Sequence, residues 1–270
     1  MFRRCALQVF AALSLTVTAS SLLPAQARVF ANHDEWTLSA AGRGNAGAAN
    51  VTAFTRNAVS WLTGGVSGSV LIASTNFGFP AATIGSDLSS GGFGFTTTQG
   101  NSAGLWATRA AYDAILVDAT TGSSFLSNAQ LQADLQSYVL GGGSVFANLG
   151  TGVGGAAGEA ARMNGFLEFF GLQAAASYNG ISGVISSAGY SAQGPYGAQL
   201  FSGVSGLFQD NGNSISAGGA NTAGYTTQIF GGNLYGAAAR ANVVPEPGTY
   251  ALMAVGLIGL GVMARRRRRA

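Results

Sequence analysis

Cysteine is almost missing from this 270-residue chain, its one thiol being Cys5 near the N-terminus. A lone thiol closes no intrachain disulfide and builds no thiolate metal site. Lysine does not occur, histidine occurs once as His33, and only 9% of residues are charged. One histidine among scattered acids leaves few ways to assemble a general base. Proline is limited to five positions, two of them Pro245 and Pro247. In place of these residues there are 42 glycines and much Ala, Ser, Thr and Asn. Such a bias alone fits a low-complexity chain. Yet Phe, Trp, Tyr, Ile, Leu and Val recur in blocks, as a folded core requires.

The two ends differ from the middle. Arg3 and Arg4 precede an apolar stretch from Cys5 through Val17, and small residues then lead to Ala25-Gln26-Ala27. Positive charge, a short apolar run and an Ala-x-Ala site are the layout of a secretory signal peptide, with cleavage expected after Ala27. The apolar run is shorter than the roughly 20 residues of a lasting membrane span.

At the other end, Val244-Pro245-Glu246-Pro247-Gly248 precedes an apolar run from Tyr250 to Ala264. Arg265, Arg266, Arg267, Arg268 and Arg269 follow it. Such a basic cluster stays on the cytoplasmic side and leaves the preceding domain facing outward. Gly256, Gly259 and Gly261 weaken the helix, which suits a temporary stop. Two prolines keep the triplet extended and accessible to a protease.

This tail resembles the PEP-CTERM sorting signal of Gram-negative bacteria. The resemblance implies that exosortase, a membrane cysteine protease, recognises residues 243–270 and cleaves near Pro245, Glu246 and Pro247. The expected partners are therefore signal peptidase, the export machinery and an exosortase-type enzyme. Membrane contact would be transient, ending at the cell surface or outside the cell.

Removing both ends changes the electrostatic balance. The whole chain carries a formal charge of +3, but residues 28–246 hold six arginines against ten acids, a formal charge of −4. The basic character belongs to the targeting segments. No nucleic-acid role is expected, because that needs a basic patch on the folded domain.

Residues 28–242 read as one α/β domain. Residues 28–31 and the region around Trp36 suggest a short strand or extended segment. Val51 to Leu62 has helical spacing and ends at Gly64-Gly65. Ser69 to Ala73 reads as a buried strand. A helix over 81–89 and a weak strand over 93–97 follow. Asp113 to Asp118 is a second buried strand, and Ser127 caps a helix over 128–140. Ser144 to Ala147 then gives a strand and Ala156 to Phe170 a helix. The alternation calls for a doubly wound, mostly parallel sheet with Gly-rich loops. After Gly171, short β segments are expected near 181–185, 214–216 and 225–230. A signal helix and a C-terminal transmembrane helix would flank the domain.

Four segments carry a second resemblance: Asn32 to Ser39, the Asn57/Trp61 helix, Asn76-Phe77-Gly78-Phe79, and Tyr112 to Asp118. They are similar to the body of a PEP-CTERM subgroup related to class I glutamine amidotransferase-like domains. That implies a flavodoxin-like sheet without implying activity. The strand-to-helix turn Ala147 to Gly152, where such enzymes carry their nucleophile, has glycines and no Cys. Thiolate attack is thereby excluded.

Open α/β sheets bind ligands along the carboxyl ends of their strands, so Asp118, Thr120, Thr121 and Ser123 form the candidate ligand edge. They are also ordinary turn residues. Gly150 to Gly155 reads as a tight packing turn first and an anion cradle second. His33-Asp34-Glu35 reads as structural, because adjacent residues of an extended segment point apart. Asp210 to Asn213 reads as a turn. No metal or cofactor is expected. The function expected is an exported surface or matrix protein, non-catalytic, associated with exopolysaccharide or biofilm. The alternatives are a sugar- or small-ligand-binding module at the sheet edge and an atypical hydrolase.

Overall fold

A computed structural model describes residues 27–240. The signal segment with Ala25, the Pro-Glu-Pro triplet, the apolar run and the terminal arginines lie outside the described residues. Among the described residues, no helix is long and apolar enough to cross a membrane.

The centre is a seven-stranded sheet. Five strands are parallel: β1 (Arg28–Asn32), β2 (Ser67–Ile72), β3 (Gly94–Gln99), β4 (Ala114–Asp118) and β5 (Ser144–Asn148). Two more, β10 (Thr226–Phe230) and β11 (Tyr235–Ala239), add antiparallel beside β1. The order across the sheet is β10-β11-β1-β5-β4-β2-β3. Every residue of β4 and β5 is buried, as strands covered on both faces must be.

Strand alternation divides the core into two clusters. Phe30, Val70, Ile72, Leu116 and Phe146 face one side, under α2 (Ala48–Thr63) and α3 (Ala81–Leu88). Val29, Leu71, Ile115, Val117 and Val145 face the other, under α4 (Ala103–Ala107), α5 (Asn128–Leu140) and α6 (Gly155–Leu167). On the first side Phe54 of α2 packs near Phe30, Phe146, Phe201 and Tyr235, with ring centroids 5.6 to 6.5 Å apart. Aromatic side chains of this size contribute about 2–3 kcal/mol each when fully buried.

Local signals set the helix limits. Ser127 Oγ accepts from Gln130 N at 3.2 Å at the start of α5. Gly64, at φ 74°, ends α2 in the left-handed conformation that glycine adopts without a Cβ clash. After α6 come β6 (Leu172–Tyr178), β7 (Ser182–Ser186), α7 (Gly197–Leu200), β8 (Gly206–Asp210) and β9 (Asn213–Ala217). β6 pairs with β9 and β7 with β8, as two small antiparallel ribbons.

The mostly parallel α/β sheet follows the sequence reading, which did not include β6, β8, β11, α4 or α7; two further differences concern the start of the domain and the strand order. The segment at Trp36 is a single 3-10 turn, Glu35–Thr37, because Asp34 caps it by accepting from Trp36 N at 3.1 Å. It leads into a short helix, α1 (Ala40–Ala46), capped by Ser39. The strand order is also permuted. Counted from β2, the parallel strands follow the 2-1-3-4-5 order of flavodoxin-like sheets, with the chain's first strand in the fifth place. The helix faces agree: α2 and α3 share one face while α4, α5 and α6 share the other.

Candidate functional site at the carboxyl edge of the sheet

Parallel strands end together, so their last residues form a row. Asn32 of β1, Asn148 of β5 and Asp118 of β4 are lateral neighbours in register. Ser74, two residues beyond β2, joins them by donating to Asp118 Oδ2. Asn32 Nδ2 donates to Asn148 Oδ1 at 2.6 Å and to the Asp34 carbonyl at 2.6 Å. These four side chains are buried.

Asp118 is held tightly. Its Oδ1 accepts from Thr120 N at 2.8 Å and Thr120 Oγ1 at 2.6 Å. Its own N–H donates to Thr121 Oγ1 at 3.0 Å. Burial raises its pKa, and the hydroxyl and amide donors of Ser74, Thr120 and Thr121 oppose that. Of the candidate edge, Asp118 and Thr121 are buried, Thr120 is half-buried and Ser123 is exposed. Thr120 and Thr121 are thus turned back onto Asp118, and Ser123 stands apart from it at the surface.

The β1 loop closes over this row. Asp34 accepts from Trp36 N and from Asp210 N, tying the turn after β8 to the turn after β1. Burial raises its pKa to about 6, against those two donors. Glu35 is 4% exposed, and its Oε2 has no hydrogen-bond partner among the described residues. Burial first, then the charge of Asp118, raises its pKa to about 8, with Asn76 opposing. A carboxyl so placed is protonated at neutral pH. His33 is fully buried, with Nδ1 3.1 Å from Asn179 Nδ2. Burial lowers its pKa to about 4, partly offset by Gln209, so the ring is neutral.

The Gly-rich turn after β5 is filled from inside the protein. Gly150 N–H donates to Glu159 Oε2 at 2.6 Å and to Asn213 Oδ1 at 3.1 Å. Gly150 has φ 69°, and a Cβ there would lie 3.0 Å from backbone atoms of His33, Asp34 and Gly212. This turn is therefore packed backbone against backbone. In the Asp210-Asn211-Gly212-Asn213 turn, Gly212 touches the His33 carbonyl, and Asn213 N donates to that carbonyl at 2.9 Å. Among the described residues no three His, Cys, Asp or Glu side chains are grouped to hold a metal ion.

An open cleft lies beside this buried row. Its volume is about 540 Å³, and it is lined by Trp36, Ser39 to Ala41, Thr75 to Phe77, Phe79 to Ala81, and Gln99. Trp36 meets Phe77 edge-on at 4.8 Å, and Phe77 is 50% exposed. The sequence reading did not place a site here. Its signal was faint: two aromatics, Trp36 and Phe77, in loops that follow β1 and β2.

The fold and edge define an α/β domain with a doubly wound sheet and an occluded polar row. Beyond it, residues 243–269 match the family model of the PEP-CTERM protein-sorting motif. The chain carries the signal of an exported protein sorted by exosortase, the membrane protease that processes such tails. No curated protein and no solved structure matches the chain.

Proposed function

We propose that this protein is a non-catalytic component of the cell surface or extracellular matrix, cut at its PEP-CTERM tail and associated with exopolysaccharide or biofilm. The observation that carries the reading is the sorting motif over 243–269. The domain's net negative charge and its lack of cysteine support it. The packing of Gly150 against His33 and Gly212 also argues against a nucleophile at the amidotransferase position. Kinship to amidotransferase-like domains belongs to the same proposal, and the flavodoxin-like spatial order of the parallel strands is compatible with it.

A second reading, a neutral-ligand-binding module at the carboxyl edge of the sheet, is favoured by the open cleft at Trp36 and Phe77. The sorting and non-catalytic parts of the first reading are tested separately. Replacing Pro245 and Pro247 with Ala should hold the uncut chain in the membrane fraction, and unchanged release would overturn the sorting role. A hydrolase screen that found turnover abolished by one substitution would overturn the non-catalytic role.

A further inference from the structure

We propose that the cleft bounded by Trp36, Phe77 and Gln99 is a binding site for one or two rings of a neutral polysaccharide. This rests on the exopolysaccharide reading and assigns it a place on the fold. Three observations carry it.

The first is chemical. None of the cleft residues is charged, so the lining has no guanidinium, ammonium or carboxylate to recognise a phosphate, a uronate or an amino acid. What it offers is a half-buried Trp36 beside a half-exposed Phe77, together with amide and hydroxyl groups. A sugar ring presents the same combination, C–H bonds on its faces and hydroxyls at its edge. Aromatic rings with a polar handle suit such amphipathic surfaces.

The second is the unused hydrogen-bonding capacity. Trp36 Nε1, Thr75 Oγ1 and Gln99 Oε1 have no hydrogen-bond partner among the described residues. Gln99 is meanwhile held in place, since its Nε2 donates to the Ser74 carbonyl at 2.8 Å and to the Phe79 carbonyl at 3.3 Å. Its acceptor is thus fixed and free. An N–H donor, an amide acceptor and a hydroxyl that does either are what a set of sugar hydroxyls needs.

The third is position. The cleft is formed by loops at the carboxyl ends of β1, β2 and β3, beside the point where the strand order reverses between β2 and β4. Ligands of open α/β sheets sit in this place. A volume of about 540 Å³ lies within the range of small-ligand sites, roughly 300–1,000 Å³.

The test uses the full chain in detergent micelles, titrated with neutral glucan, mannan and galactan hexaoses and with alginate as the anionic comparison. Trp61 is 3% and Trp106 is 5% exposed, while Trp36 is half-buried, so a shift in tryptophan emission reports the cleft. At least one neutral hexaose should shift the emission saturably and alginate should not. Phe77→Ala should weaken that hexaose about tenfold, the loss of one stacking contact. Trp36→Phe should remove the emission signal and keep part of the affinity by calorimetry.

Phe77 is half exposed, so its replacement leaves the core intact, and an unchanged unfolding midpoint verifies this. Tighter binding of alginate, or no hexaose bound at all, would overturn the assignment. The function and the site are separated by retention on exopolysaccharide from the producing strain. If wild type and Phe77→Ala are retained equally, the polysaccharide reading stands and the cleft assignment falls. If wild type is not retained, both fall.

Discussion

Glu35 gives the sharpest test of the buried edge, because its environment is defined and its replacement is nearly isosteric. Its carboxyl is pushed from 4.5 to about 8 by burial and by Asp118. The folded pKa exceeds the unfolded one, so the folded protein holds a proton that the unfolded chain releases. Stability linked to this group is fully present below about pH 4.5 and is lost as pH rises through about 8. Glu35→Gln has the shape of the protonated acid and no charge to expose. The stability gap between variant and wild type should therefore widen by about 3 kcal/mol between about pH 5.5 and 8.5, at about 1.4 kcal/mol per pH unit. Water reaching the loop would reduce this figure. Asp34, raised to about 6 by burial, adds its own alkaline loss to both proteins. His33, lowered to about 4, adds an acid loss to both as pH falls below about 6.5. The difference between variant and wild type isolates Glu35 from these two. Urea unfolding of the two proteins across this range measures the gap. A gap that stays within about 1 kcal/mol at every pH would refute the buried, protonated state.

Other perturbations probe separate links. Gly212→Ala would put a Cβ 1.9 Å from the His33 carbonyl oxygen, so it should destabilise the domain by about 2–4 kcal/mol in chemical denaturation. Phe54→Ala would open a cavity among Phe30, Phe146, Phe201 and Tyr235 and should lower stability by about 3–5 kcal/mol. The imidazole of His33, the one histidine, should show no titration above about pH 5 by NMR, since burial holds it neutral. A midpoint near 6.5 would mean that its seat against Asn179 is open to water.

The sheet was readable from the sequence at β4 and β5. Ala114 to Asp118 and Ser144 to Asn148 are continuous apolar runs with polar last residues, and only a strand of a covered sheet needs that pattern. The helices over 48–63 and 128–140 were readable from period and caps. Strand order was not, because Arg28 to Asn32 carries no mark of its partners. β1 sits between β5 and β11, a placement decided by long-range pairing alone. β6, β8 and β11 were also missed, the last although all five of its residues are buried. Leu172 to Tyr178 and Tyr235 to Ala239 are rich in Ala, and Gly206 to Asp210 mixes polar with apolar residues, so pairing rather than propensity makes them strands. At the site, Asp118 was legible as a strand-end acid. The cleft was not, since Trp36 and Phe77 lie 41 positions apart in sequence and meet only through the fold.

The permutation also fixes where the domain is attached to the rest of the chain. β1 opens at Arg28 and β11 closes at Ala239, and these two residues are register partners in an antiparallel pair. Both ends of the domain thus lie at the amino edge of the parallel strands. The cleft and the polar row lie at the carboxyl edge. Arg28 and Ala239, where the chain enters and leaves the domain, therefore lie at the edge opposite the cleft. The same pairing makes the sheet incomplete until the last strand is available, because β1 is flanked on one side by a strand that ends at Ala239. A chain that has emerged only as far as β5 has an unpaired edge on β1, which favours wrong pairing. Anchoring through a tail that follows β11 by only a few residues ensures that a sorted chain has already exported the strand that closes its sheet.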